Sequence, residues 1–118
     1  MEGLITKTLS SHELPLVIEP VNQNISLPDA LNLLSHHRET LKKHLLKHGG
    51  LLFRNFPVGN EHDFSNFIKT LGLGKFIDYI GGDSPRKKVA DGIYTSTEAP
   101  PSIKIPLHNE LSFIDLYP

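Results

Sequence analysis

Apolar residues follow two rhythms along this chain, and each predicts a kind of element. Leu14-Pro15-Leu16-Val17-Ile18-Glu19-Pro20 is a short apolar run bounded by prolines, which predicts a strand at a sheet edge, where missing N–H groups are tolerated. At Ser26 the rhythm changes. Ser26 is suited to cap a helix, with Pro28 and Asp29 in the first turn, where a missing donor and a negative charge are both favourable. Leu31, Leu34, Leu41 and Leu45 then recur at helical spacing, with Arg38 interrupting the stripe. Lys47 and His48 suit a last turn and Gly49-Gly50 a stop, so one helix is expected over 28–48. Leu51 to Phe56 reads as a buried strand before Pro57. Asn60 caps a second helix over 61–71, whose Phe64, Phe67, Ile68 and Leu71 follow the i, i+3, i+4, i+7 pattern as far as Gly72.

The rest is less patterned. Residues 1–13 are polar and mixed and predict a loosely held lead-in. Leu73 to Arg86 is irregular and punctuated by glycines, without the glycine–helix order of a dinucleotide or phosphate loop. A further strand is expected at Ile93-Tyr94-Thr95-Ser96.

Composition narrows the chemistry. With 118 residues the chain is enough for one modest domain. Its net charge of -1, with no long block of like charge, excludes the electrostatic footprint of a nucleic-acid or anionic-membrane binder. No stretch reads as a signal peptide or approaches membrane-spanning length, so a soluble, cytoplasmic protein is expected. The sequence has no cysteine, which leaves histidines and carboxylates as the strong metal ligands. His36, His37, His44 and His48 lie on the long helix, the last two separated by four. No carboxylate or third ligand accompanies them, and a solvated face is the expectation. His12 and His62 are likewise expected in solvent.

The segment Ile103-Lys104-Ile105-Pro106-Leu107-His108-Asn109-Glu110 carries the candidate chemistry. If it is extended, Ile103, Ile105 and Leu107 share one face and pack, while Lys104, Pro106, His108 and Glu110 share the other and Asn109 points away. His108 and Glu110, about 6.6 Å apart along a strand, could converge on one ion. One imidazole and one carboxylate make two-thirds of the facial triad of non-haem Fe(II). By itself His-x-Glu is weak, and a strand-end pair without metal explains the tripeptide better. A zinc hydrolase is poorer still, since no base–nucleophile arrangement accompanies the pair.

The surrounding residues are more specific. "IYTSTEAPPSIKIPLHNELSF", preceded by "GGDSPRKKV", resembles the taurine-dioxygenase and clavaminate-synthase-like family of Fe(II)- and 2-oxoglutarate-dependent oxygenases, and "GGLLFRNFPV" looks like that family's early strand. The resemblance implies an α+β fold, a double-stranded β-helix (jelly roll) flanked by two N-terminal helices. It implies Fe(II) on His108, Glu110 and a second histidine far downstream. It also implies 2-oxoglutarate as cosubstrate, paired with a downstream arginine, and oxidation of a small-molecule substrate. Glu110 in place of the commoner Asp is the clavaminate-synthase-like variant. Arg86, Thr97, Lys104 and Asn109 become candidates for the mouth of the site. Arg86 heads a short basic run that otherwise reads as solvated.

After Phe113 only Ile114-Asp115-Leu116-Tyr117-Pro118 remain, with no counterpart of the downstream histidine, the arginine or the closing strands. The expectation is therefore the N-terminal portion (1–118) of a single oxygenase domain. Its barrel would be incomplete, its metal affinity weak, and its strand edges open to self-association. The alternative is a non-catalytic remnant or interaction module of the same fold.

Overall fold

The computed structural model describes residues 1–9, 11, 14–76, 86–96 and 100–108. They fall into two compact units, Met1–Leu73 and Gly74–Pro118. The first contains strands β1 (Leu4–Thr8), β2 (Leu16–Pro20) and β3 (Leu51–Phe53), with helices α1 (Leu27–His36), α2 (Arg38–His48) and α3 (Glu61–Leu71). The second contains β4 (Lys88–Ala90) and β5 (Ile93–Tyr94). Among the described residues the architecture is mixed, with three helices and two small sheets. None of the helices among the described residues is long and apolar enough to cross a membrane.

In the first unit β2 is the middle strand of the order β1-β2-β3. It pairs antiparallel with β1, setting Thr6 opposite Ile18, and parallel with β3, setting Ile18 opposite Phe53. This corrects the edge-strand expectation. Pro15 precedes the strand and Pro20 closes it, so neither removes a donor from its interior, and all five residues are buried. The lead-in is also corrected. Leu4–Thr8 is an edge strand with only Leu4 buried, and its short apolar content hid it despite β-favouring Ile5, Thr6 and Thr8. β3 is shorter than expected because Asn55 turns into the left-handed region (φ 61), a conformation Asn tolerates better than most residues.

Alternation along β2 separates two faces. Ile18 joins Leu4, Leu34, Leu41, Phe67 and Leu71 in the core. On the opposite face Glu19 accepts from Lys7 Nζ at 2.7 Å and from Asn55 Nδ2 at 3.4 Å. With Lys7 about half exposed, that ion pair contributes no more than about 1 kcal/mol. The buried Leu16, Val17 and Ile18 contribute roughly 1.5–3 kcal/mol each, so burial decides where β2 lies.

The long helix expected over 28–48 is two. Ser26 caps α1, accepting from Asp29 N, and the helix ends where His37 takes φ -100 and ψ 8. α2 then restarts at Arg38, and its first bond runs from Leu41 N to His37 O at 2.8 Å. Leu34 and Leu41, on different helices, are both fully buried. α1 packs on α3, and α2 packs on β2 and β3. Arg38, the interruption in the stripe, donates from Nε and Nη2 to Thr70 O at 3.2 and 2.9 Å, satisfying a carbonyl at the end of α3. Gly72 follows in the left-handed conformation, and a Cβ there would lie 2.9 Å from Arg38 Nε.

α3 matches its expected bounds, and Asn60 caps it by accepting from Asp63 N at 2.9 Å. Its aromatics divide. Phe67 sits edge-on to Phe53 and Phe56, both at 5.3 Å between centroids, and Phe53 meets Phe56 at 5.8 Å. Phe64, expected in the core, is 43% exposed, and Ser65 is buried instead.

The histidines also divide. His36 and His62 are exposed, while His37 Nε2 donates to Glu2 O at 2.8 Å. His48 is buried, which corrects the solvated-face expectation, and its ring lies 5.7 Å from that of His44. Helix spacing put His48 seven residues beyond Leu41, on the same inward side. Burial, and then the neighbouring His48, Lys47 and α-amino group, hold the His44 pKa below its ordinary value.

Two outcomes follow. Leu34→Ala should cost about 2–5 kcal/mol in urea unfolding, whereas Leu46→Ala, at a position 80% exposed, should cost within about 0.5 kcal/mol. Equal costs would contradict the assigned core. For His44, the unfolded chain binds the proton more readily than the folded one. Its contribution is therefore complete above about pH 6.5 and is lost as pH falls through the lower folded value. Melting curves should show His44→Gln losing less stability than wild type between pH 7 and 5, and parallel losses would refute the assignment.

Candidate metal centre

β4 and β5 form the hairpin that leads into the candidate segment. Ala90 pairs with Ile93 across Asp91-Gly92, and Lys88 pairs with Tyr94 with an irregular register between them. Gly92 has φ +71, and a Cβ there would collide with the Phe76 ring. The Asp-Gly dipeptide between Val89-Ala90 and Ile93-Tyr94 is a strong hairpin signal that the sequence reading left unused. The strand expected at 93–96 is only two residues, but Thr95 extends the pairing. Its N–H donates to Lys87 O at 2.9 Å, and its Oγ1 accepts from Lys87 N at 2.9 Å. The first half of Tyr-Thr-Ser-Thr-Glu is thus a hairpin anchor, a role its resemblance to a family motif did not indicate.

Pro100 to Ile103 is a turn closed by Ile103 N to Pro100 O at 2.9 Å. Beyond it the expected strand at 103–108 is not formed, and Ile103, Ile105 and Leu107 are 57%, 48% and 105% exposed. Lys104, Pro106 and His108 are exposed as well. The expected packing of the apolar row is therefore corrected. A period of two says which side chains a strand would bury, but a strand also needs a neighbour to satisfy its backbone. Pro106 removes one donor from this stretch.

His108 is set by its own backbone. Its Nδ1 lies 2.9 Å from Pro106 O. A carbonyl oxygen only accepts, so Nδ1 carries the hydrogen, and in the neutral ring the lone pair is on Nε2. That is the tautomer and the kind of supporting bond found behind metal-ligating histidines, so the imidazole fits the ligand role. Among the expected mouth residues, Arg86 is half-buried and immediately precedes the Lys87–Thr95 clasp, while Lys104 lies exposed on the open segment. Glu110, Asn109 and Thr97 lie outside the described residues. No group of three His, Asp or Glu that could hold a metal occurs among the described residues.

Gly92→Ala should weaken the hairpin, since an L-residue in the left-handed region costs about 1–2 kcal/mol even if Phe76 moves aside. Amide exchange at Thr95 N–H should quicken in the variant. Unchanged protection would refute the clasp.

Comparison with known proteins supplies what geometry alone does not. Over 117 residues the chain is 35% identical to a clavaminate synthase-like protein of Arabidopsis thaliana, covering 95% of this chain and 35% of that protein. Over 84 residues it is 36% identical to the dapdiamide synthesis protein DdaC of Enterobacter agglomerans, covering 71% of this chain and 25% of that protein. The chain therefore spans about a third or less of the length of these relatives. Residues 10–118, a stretch containing the hairpin, the turn and His108-Asn109-Glu110, match one family throughout, and the chain belongs to the taurine catabolism dioxygenase TauD, TfdA family.

Proposed function

We propose that this chain is the N-terminal portion of an Fe(II)- and 2-oxoglutarate-dependent oxygenase acting on a small molecule, with His108 and Glu110 as two of three metal ligands. The single observation that carries this reading is the family match running unbroken through residue 118, across the His-Asn-Glu tripeptide. The Nδ1–H bond of His108 to Pro106 O supports it, because it presents Nε2 as the donor. The domain would be a double-stranded β-helix, with the remaining histidine and the cosubstrate-binding arginine on polypeptide beyond these residues.

Iron, when bound, supplies the oxidising chemistry together with 2-oxoglutarate and dioxygen, yielding succinate and CO₂. The chain's own residues have simpler tasks. His108 donates an imidazole nitrogen whose ring orientation is fixed by the Pro106 carbonyl. Glu110 would add a negative charge that offsets part of the metal's. Two protein ligands leave most of the coordination shell to water and cosubstrate. Arg86, Lys104, Thr97 and Asn109 are assigned to the mouth, where a cation or an amide can orient an anionic or polar reactant.

A second reading is favoured by one observation, the exposed row of Ile103, Ile105 and Leu107. In a non-catalytic module of this fold, that row and the adjacent backbone would pair with another chain or with a second copy. Light scattering separates the readings. Concentration-dependent association abolished by Ile105→Lys supports the second-copy form of the module, and a monomer at all concentrations removes that form.

Anaerobic calorimetric titration tests the metal reading, with Mn(II) as an air-stable stand-in for Fe(II). The 118-residue chain should bind far more weakly than an intact triad and form no succinate. His108→Ala and Glu110→Ala should each lower the affinity about tenfold or more, the loss of a ligand rather than of a supporting contact. Equal binding by all three proteins would refute the metal site. Succinate formed by the 118 residues alone would refute the need for a ligand beyond them.

A further inference from the structure

The last two turns of α2 hold a second pair of metal-capable groups that the oxygenase reading does not use. His44 and His48 are one helical turn apart, which brings their Cβ atoms to about 5–6 Å and projects both side chains from one side of the helix. Their ring centroids are 5.7 Å apart and the ring planes are inclined by 32°. His48 is buried at 8% relative exposure and His44 is half-buried. The pair is therefore held by the fold, with His44 on the solvent side. Ordering two imidazoles before a metal arrives removes much of the entropy that chelation otherwise costs.

We propose that His44 and His48 form a transition-metal site of the Zn(II), Cu(II) and Ni(II) class, separate from the His108–Glu110 centre. Two histidines at i, i+4 on a helix are a spacing that can place two nitrogens on one ion. The ligand chemistry selects the metal. Imidazole suits Zn, Cu and Ni, while Mg(II) and Ca(II) require oxygen donors, and no carboxylate completes a three-ligand group here among the described residues. Lys47 and the α-amino group of Met1 lie within electrostatic reach of His44 and oppose any cation held by charge alone. Only a metal that bonds directly to nitrogen overcomes this. Water fills the remaining positions, and Cu(II) and Ni(II) should bind in the order of their intrinsic affinities for nitrogen.

The proposal stands or falls apart from the oxygenase assignment, since none of its residues is shared with that site. Its test is a Zn(II) titration followed through the ring-proton resonances of each histidine, paired with melting curves. The resonances of His44 and His48 should shift together and saturate, ahead of those of His36, His62 and His108. Bound metal stabilises the folded state by mass action, so excess Zn(II) should raise the Tm of wild type and of His108→Ala. In His44→Ala that rise should vanish, and Ni(II) affinity should fall about tenfold or more. His44 is used because its half-buried ring can be removed without opening the core, and circular dichroism would verify the fold. Should the His44 and His48 signals stay in place while His108 shifts, or His44→Ala keep wild-type affinity, the site is refuted.

Discussion

The burial of β2 is the constraint on which the first unit depends. Leu16, Val17 and Ile18 lie at 6%, 0% and 0% exposure, and the strand that carries them pairs on both sides. A strand so placed has no backbone group to spare for solvent. Its neighbours must match its register, β1 from one side and β3 from the other. The parallel β2–β3 pairing in turn requires a long connection, and α1 with α2 provides it. The helices are thus a consequence of the sheet's geometry as much as of their own leucines. Across the break at His37 the two helices bring Leu34 and Leu41 into the same core.

Much of this was legible because short-range physics dominates it. Ser26 and Asn60 were identifiable as caps since each bonds a backbone N–H three residues on, a contact independent of the rest of the fold. Gly49 and Gly72 were identifiable as stops for the same reason. Several of the corrections concern partners distant in sequence. β1 carries little apolar pattern of its own and exists because β2 offers it an edge. Arg38 looked like a flaw in a leucine stripe, and its partner is Thr70 on another helix. Phe64 fits the periodic template as well as Phe67 does, yet only Phe67 meets Phe53 and Phe56.

The candidate centre was legible in a different way. His-x-Glu carries little information alone, and no packing argument selects His108 over the other histidines. What singled it out was a resemblance spread over some twenty residues, now matched by a family that covers 10–118. The structure adds a physical reason at one atom, since Pro106 sits two residues back and its carbonyl meets Nδ1 of His108. The proline does two things there. It supplies the acceptor that fixes the tautomer, and it contributes no N–H that a neighbouring strand would have to satisfy.

The open segment and the proposed metal ligands are linked by the same alternation. Any pairing that makes a strand of 103–110 and buries Ile103, Ile105 and Leu107 must turn Lys104, Pro106, His108 and Glu110 to the opposite face together. In a bound state the convergence of His108 and Glu110 would be set by the hydrogen-bonded ladder rather than by the two side chains. As the segment stands, 103–108 forms no strand and its apolar row is exposed. On the proposed reading, assembly of the metal pair and burial of that row would be one event. The free energy of covering three large aliphatic side chains, roughly 1.5–3 kcal/mol each, would be available to order the two ligands.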